Sequence, residues 1–269
     1  MKSHWISILA LTCFCASPTV HAQTPAITGI AHIAYRVSDL DKEVKFFAQL
    51  GYEVAFANTS GAKTTEAFVK IDDRQFIEIY PQTDPSQPLG WMHVCYETDA
   101  PYALDSIYAE HGLNPTKVVK AGAGNLLFTL KDPEGRVTEF TQYMPGSRHT
   151  HDRGLHLGQD RVSGQLLGFE LPVADLAAAR KFYLNLGFDV KDAAGAIRLA
   201  VPGAPDLRIE VHSAGAGSEP QTLFAVPDAR KAADKLRRMG LNGKRHGKLV
   251  FVRDPDGNSF VLMETGSEL

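Results

Sequence analysis

Two histidines and two glutamates recur at matching spacings in the first half of the chain. His32 and His93 are 61 residues apart, Glu78 and Glu139 are also 61 apart, and each histidine precedes its glutamate by 46. If the segments carrying them are two copies of one unit, a two-fold relation would direct all four side chains toward a common centre. Imidazole and carboxylate donors together suit divalent transition metals. The spacing therefore predicts one metal site, with the ligands His32, Glu78, His93 and Glu139.

The alternation of residue types along the predicted strands agrees with this site. Within Ile30–Val37, His32 alternates with Ile33, and within Gln75–Tyr80, Glu78 stands between two isoleucines. Successive strand side chains point to opposite faces, so the apolar residues can face a core while the polar ones face a cavity. A buried carboxylate is costly unless it is paired or metal-bound. A divalent cation would remove that cost and the repulsion between two such carboxylates.

Repeated segments show which elements must position these residues. Residues 38–54 read SDLDKEVKFFAQLGYEV and residues 174–190 read ADLAAARKFYLNLGFDV. Each has an aspartate at its second position that can cap a helix, and a Leu-Gly pair that can end it. The Asp-Pro-x-Gly segments at 132–135 and 254–257 lie between apolar runs and predict hairpin turns.

The resulting element order is one strand, one helix and three strands, repeated four times. This predicts an α+β fold of four βαβββ modules, paired into two domains at residues 27–145 and 163–266. The polar, glycine-containing segment 146–162 is interpreted as a linker. The second domain is predicted to be degenerate, since only Glu78 among the four ligands keeps a counterpart there. The positions aligned with His32, Glu78, His93 and Glu139 are, in that order, Gly168, Glu210, Gln221 or Thr222, and Val261.

The N-terminus has the pattern of a secretory signal peptide. Lys2 precedes an apolar stretch that is too short to span a bilayer, and Val20-His21-Ala22 offers small residues for cleavage. Residues 1–22 are therefore predicted to be removed, which implies a periplasmic or secreted protein. The net charge of -3 and the lack of a basic run predict neither a nucleic-acid partner nor membrane association after cleavage.

Several other side chains could do chemistry. Cys95 shares strand phase with His93 but is interpreted as a small buried residue. The three histidines of the linker are interpreted as solvated rather than metal-binding. Further candidates for polar groups in the cavity are Arg36, Tyr80, Gln142 and Tyr143.

These motifs resemble the vicinal oxygen chelate superfamily, which includes glyoxalase I, extradiol dioxygenases, methylmalonyl-CoA epimerase and bleomycin-resistance proteins. The segments that carry the resemblance are GIAHIAYRVSDLDKEVKFFAQLGYEV, RQFIEIYPQ, WMHVCYETDA and KDPEGRVTEFTQY. The resemblance implies two glyoxalase-like domains with cupped mixed sheets. It also implies that the first-strand and last-strand positions, here His32, Glu78, His93 and Glu139, are metal ligands.

The resemblance leaves three classes of function open. The first is an exported lyase or isomerase that chelates adjacent oxygens of a small molecule on Ni, Zn, Fe, Mn or Co, with Glu78 or Glu139 as the catalytic base. The second is an extradiol-type dioxygenase that uses only His32, His93 and Glu139. The third is a non-catalytic binding protein of the bleomycin-resistance type. Each could act as a monomer or a homodimer.

Overall fold

A computed structural model describes residues 27–266 of the 269-residue chain. The predicted signal peptide at residues 1–22 lies outside the described residues. Among the helices that the structure describes, none is long and apolar enough to cross a bilayer.

The first half of the chain forms one eight-stranded mixed sheet. Its strand order is β2-β3-β4-β1-β5-β8-β7-β6, so β1 and β5 lie side by side at the centre. β1 is antiparallel to β5, while β4 and β8 run parallel to their neighbours β1 and β5. The bounds of its elements are β1 Ile27–Val37, α1 Leu40–Gln49, β2 Glu53–Ser60, β3 Lys63–Lys70, β4 Phe76–Pro81, β5 Gly90–Thr98, α2 Pro101–Glu110, β6 Val119–Lys120, β7 Leu126–Lys131 and β8 Val137–Gln142.

The second half repeats this topology. Its sheet has the order β10-β11-β12-β9-β13-β16-β15-β14, and a short helix, α3, lies between the two halves. The prediction of four βαβββ modules is therefore confirmed. The bounds are α3 Arg148–His151, β9 Leu166–Val173, α4 Leu176–Asn185, β10 Asp189–Ala193, β11 Ala196–Val201, β12 Ala204–Ser213, β13 Gln221–Val226, α5 Ala229–Arg238, β14 Lys244–His246, β15 Leu249–Arg253 and β16 Ser259–Glu264.

The repeated helices begin and end as the sequence predicts. The Asp39 carboxylate accepts a hydrogen bond from the backbone N–H of Lys42 at the start of α1, and Asp175 does the same at α4. These caps satisfy amide groups that have no partner within the helix. Gly51 follows α1 with φ of +83°, a left-handed conformation that glycine adopts without steric cost.

The apolar faces of both sheets share one core with the helices. Phe260 of β16 contacts Tyr35 of β1 and Phe46 and Phe47 of α1 through its ring. Because the core lies on this side of each sheet, the opposite faces are left for the two cups. The first cup is the face that carries the predicted ligands.

The segment between the domains is anchored to the first domain. The fully buried Lys70 ammonium lies 2.8 Å from the Asp152 carboxylate and 2.9 Å from that of Asp73. A buried ammonium is stable only when paired in this way. The ion pairs therefore hold α3 and the turn after it close to the first cup.

Candidate metal centre

The strand register brings the four predicted ligands to one face of the first sheet. Ala34 of β1 is paired with Glu78 of β4 on one side and with His93 of β5 on the other. His32 is two residues before Ala34 on the same strand, and Glu139 of β8 is one strand further on. The side chains therefore meet across the four central strands, on the face opposite the core.

Three donor atoms form a compact triangle. The Nε2 atoms of His32 and His93 are 3.1 Å apart, and the Glu139 Oε2 atom lies 3.5 Å from the first and 3.7 Å from the second. Ligands about 2.1 Å from an ion and at right angles to one another are about 3 Å apart. The donor set and its spacing therefore fit one divalent ion.

Glu78 approaches His32 from the other side of its ring. Its Oε1 atom is 3.1 Å from Nδ1 of His32, whereas the triangle uses Nε2. The hydroxyl of Tyr80 donates a hydrogen bond of 3.0 Å to Oε2 of Glu78. Metal-bound histidines commonly donate their second ring N–H to a carboxylate, which fixes the tautomer and the direction of the ligand. In this arrangement Glu78 orients His32.

Burial sets the charge of these groups. Burial lowers the pKa of His32 to about 3 and that of His93 to about 4, so both rings are neutral near pH 7. A neutral imidazole has the lone pair that a metal needs. Burial first, then the charges of Glu66 and Glu139, raise the pKa of Glu78 well above its ordinary value. A divalent cation would relieve this repulsion.

A cavity of about 200 Å³ opens beside the triangle. Tyr80 and Tyr143 line it as the sequence suggests, but Arg36 and Gln142 are not among its lining residues. Arg36 instead donates to the carbonyl of Pro88, and Gln142 donates to that of Asp99.

Five polar lining residues were missed by sequence reasoning: Asn58, Glu66, Asn125, Thr141 and His149. Glu66 could have been found, because β3 pairs with β4 and strand alternation puts Glu66 and Phe68 on one face. Phe68 is the register partner of Glu78, so that face is the ligand face. Asn58, Asn125 and His149 carry no comparable signal in the sequence.

His149 contradicts the expectation that the linker histidines are solvated. Its side chain is buried, stacks on the Tyr143 ring at 5.0 Å between centroids, and contacts the ring edges of Phe56, Phe68 and Phe76. The Asn125 amide donates to its Nδ1 at 2.9 Å, which leaves the proton on Nε2. Burial lowers its pKa to about 3, so it contributes a neutral ring to the cavity.

Cys95 is fully buried, as expected, and is also close to the donor triangle. It is the register partner of both His32 and Glu139. Its Sγ atom and one donor atom from each of these residues all lie within 4.8 Å of one another. A second grouping at the same spacing contains His32, Glu78 and His93.

The second cup does not repeat the ligand set. The register aligns Gly168 with His32, Gln221 with His93, and Val261 with Glu139, which resolves the alternative between Gln221 and Thr222. Glu210 is the counterpart of Glu78 and forms an ion pair of 3.0 Å with Arg198. Of the four ligand positions, the second cup therefore retains a metal-binding side chain at one, the carboxylate of Glu210.

Comparison with protein families matches this chain to the Glyoxalase/Bleomycin resistance protein/Dioxygenase superfamily at residues 29–140 and 165–262. The two matched ranges correspond to the two sheets. No curated protein matches the chain in sequence.

Solved structures with the same fold include proteins of two activities. The 2,3-dioxygenase LapB from Pseudomonas sp. KL28 aligns over 91% of this chain and 95% of its own, with a TM-score of 0.69 and 17% identity. The Mn(II)-bound glyoxalase from Novosphingobium aromaticivorans covers 91% and 84%, with the same TM-score and identity. An extradiol ring-cleaving dioxygenase from B. fuscum covers 93% and 75%, with a TM-score of 0.68 and 17% identity. At this identity the likeness establishes the fold alone.

Proposed function

Since this chain belongs to the Glyoxalase/Bleomycin resistance protein/Dioxygenase superfamily, we propose that it is a metal-dependent enzyme acting on a small molecule with two adjacent oxygen atoms. The fold hosts several activities, so the reaction has to be argued from the site.

The observation that carries the proposal is the triangle formed by His32, His93 and Glu139, with 3.1–3.7 Å between its donor atoms. Two histidines and one carboxylate on one side of an ion are the ligand set of non-haem iron(II) oxygenases. The approach of Glu78 to Nδ1 of His32 favours an orienting role for this carboxylate. We therefore favour an extradiol-type dioxygenase over a four-ligand lyase.

The ion would supply a Lewis-acidic centre with open positions for ligands. The chain itself would hold it through two neutral imidazoles and one carboxylate. Glu78 would keep His32 in the Nδ1–H tautomer, and Tyr80 would hold Glu78 in place. The buried cavity wall would exclude most water from the reacting oxygens.

The structural neighbours support the same reaction class. Two of those described above are named as ring-cleaving or 2,3-dioxygenases, and the LapB alignment covers 95% of that chain. In extradiol dioxygenases the active module pair is usually the second one. Here the first pair carries the ligands, which would reverse the roles of the domains.

A lyase or isomerase is the second candidate. One observation favours it: Glu78 is a second carboxylate beside His32, and it forms a group of possible metal ligands with His32 and His93. A solved structure with the same fold is named as a Mn(II)-bound glyoxalase, which is in line with this second candidate. Glu78 or Glu139 would then be the base that moves a proton on the substrate.

The discriminating experiment compares metal content and oxygen uptake in the wild-type protein and a Glu78→Gln variant. After iron(II) loading and dialysis we expect about one iron per chain in both, with affinity reduced about 10- to 100-fold in the variant. The wild-type protein should consume oxygen with an uncharged catechol. The matched control, Glu210→Gln, changes the same position of the second domain and should leave iron binding unaffected.

Other outcomes of this experiment would support a different function. Complete loss of metal in Glu78→Gln, with anaerobic turnover by the wild-type protein, would support the lyase or isomerase. The absence of metal from every protein, even after reconstitution, would indicate a binding protein. Export to the periplasm or medium and a monomeric or dimeric state remain part of the proposal.

A further inference from the structure

The cavity wall beside the donor triangle is rich in carboxyl groups. Glu66, Glu78 and Glu139 all line it, while none of the described lining residues is lysine or arginine. The donor triangle lies on β1, β5 and β8. Of the three glutamates, Glu66 lies on the strand farthest from these in the sheet, β3. A substituent of a bound substrate that extends toward β3 would meet this carboxyl group.

Neutral side chains hold the carboxyl group of Glu66 in the cavity wall. One of its oxygens lies within hydrogen-bond distance of the Tyr80 hydroxyl, whose single proton is shared between Glu66 and Glu78, and the other accepts a hydrogen bond from the Asn58 amide. Both of these partners are neutral groups. No basic side chain among the described lining residues therefore offsets this carboxyl group on the cavity wall.

Arg148 and Lys70 are basic residues outside the cavity lining, and both are already engaged. The Arg148 guanidinium donates to Oδ1 of Asn58 at 2.6 Å and to the carbonyl of Ala57 at 2.9 Å, and it lies 4.4 Å from the centre of the Phe56 ring. The ammonium of Lys70 is fully buried in its ion pairs with the linker and the first domain. Neither group lines the cavity.

The neutral donors of the wall are also engaged. Tyr143 donates its hydroxyl to the carbonyl of Arg74, Thr141 donates to that of Leu126, and the Asn125 amide donates to His149. The Nε2 atom of His149 has no hydrogen-bond partner, but its neutral N–H offers no positive charge. Away from the metal ion of the proposed function, a carboxylate substituent in this cavity would lose its hydration without finding a basic side chain, which is unfavourable in a buried site.

We propose that the cavity selects small vicinal diols that are uncharged or positively charged and rejects those that carry a carboxylate. This inference rests on the proposed function, since it concerns the substrate of that same site. The volume of about 200 Å³ is below the range of about 300–1,000 Å³ that is usual for ligand pockets. It limits the substrate to roughly one ring. Glu66 is the residue that sets the preference for charge.

The test uses three catechols of nearly the same size: 3,4-dihydroxybenzylamine, 3,4-dihydroxybenzyl alcohol and 3,4-dihydroxybenzoate. Their dissociation constants are measured by calorimetry on protein loaded with zinc, which binds ligands without turnover. We expect the amine and the alcohol to bind at least about tenfold more tightly than the benzoate. Glu66→Gln should reduce the ratio between the amine and the benzoate about tenfold, whereas Glu53→Gln, at an exposed position of β2, should leave it unchanged.

Two results would overturn the inference: benzoate binding as tight as that of the alcohol, or the same amine-to-benzoate ratio in Glu66→Gln as in the wild type. Failure of the amine and the alcohol to bind at millimolar concentration would also overturn it. Oxygen uptake by the iron-loaded protein, measured separately, distinguishes this result from the fate of the proposed function. The expected binding order without oxygen uptake would uphold the charge selectivity and reject the dioxygenase. Equal binding of the three catechols, together with oxygen uptake, would reject the charge selectivity and uphold the dioxygenase.

Discussion

His93 and Gln221 occupy the same position of two homologous cups, yet only His93 has a metal-binding side chain. The imidazole of His93 is buried and neutral, and its Nε2 atom lies 3.1 Å from that of His32. Gln221 is half-buried at the edge of a cup with an apolar floor. The difference between the domains therefore depends on single residues at equivalent positions.

Replacing His93 tests this difference. His93→Ala should weaken metal binding more than about 100-fold, because it removes a direct ligand and outer-shell changes alone cost up to that much. Gln221→Ala should have no effect on metal binding. Both are measured by competition with a chelating dye. Equal metal affinity of wild type and His93→Ala would remove the triangle from consideration as a metal site.

At the level of elements, β9 differs from β1 in a way that prevents a second metal site. Gly168 occupies the position of His32, and a β-carbon built there would lie 1.8 Å from the carbonyl oxygen of Arg208. The close approach of β9 to β12 therefore requires glycine. A histidine could be introduced at this position only by moving the strands apart.

Gly168→Ala should accordingly destabilise the protein by at least about 2 kcal/mol, the order of magnitude for an overpacked interior site. Gly29→Ala provides the control, since Gly29 is also in a first strand and no heavy atom lies within 4 Å of the added β-carbon. Urea unfolding of both variants measures the difference. A Gly168→Ala protein as stable as the control would show that β9 and β12 can separate at low cost.

The segment between the domains also acts as an element of the site. α3 supplies His149 to the cavity and Arg148 to the hydrogen bonds around Asn58. Its position depends on the buried ion pair between Lys70 and Asp152. A polar, glycine-containing sequence is typical of linkers, and this pattern gave no indication that α3 covers a cup.

At the scale of the whole molecule, each domain accepts a hydrogen bond from the residue that precedes the N-cap of a helix in the other domain. The Asp256 carboxylate, in the turn before β16, accepts a hydrogen bond of 2.6 Å from the Ser38 N–H near α1. Glu134, in the corresponding turn of the first domain, accepts one from the Ala174 N–H near α4. Together with the shared core, these reciprocal contacts join the domains into one unit.

The same interface contains a buried acid whose ionisation should oppose folding. Glu43 of α1 is 1% exposed, and one of its oxygens has no hydrogen-bond partner. Burial, followed by the charge of Asp254 in the other domain, raises the pKa of Glu43 from 4.5 to about 9. Burial also raises the pKa of Asp254.

The raised pKa predicts how stability depends on pH. Between pH 4.5 and about 9 the unfolded chain has lost the Glu43 proton and the folded chain retains it. Stability is therefore fully present below pH 4.5 and decreases as pH rises toward 9, by up to about 1.4 kcal/mol per pH unit. Glu43→Gln should flatten this decrease and be more stable than the wild type at pH 8.

Asp41→Asn, at an exposed position of the same helix, should retain the wild-type slope in urea unfolding from pH 5 to 9. Parallel slopes for wild type and Glu43→Gln would contradict the assignment.

The sequence alone determined the modular fold and the candidate ligands, because both are encoded locally. Helix caps, apolar periodicity and Asp-Pro-x-Gly turns specify each module, and the spacing of 61 residues shows that His32 and Glu78 recur as His93 and Glu139. The pairing of modules into two eight-stranded sheets confirmed the predicted fold.

Only the tertiary structure decided which side chains surround those residues and how they contact them. Spacing cannot reveal which ring nitrogen of His32 faces Glu78, since that depends on the side-chain angles and on Tyr80. It cannot reveal that His149 enters the cavity, because contacts between residues distant in sequence arise from packing. The same holds for the surroundings of Glu66, whose carboxyl group contacts neutral partners on the neighbouring strands.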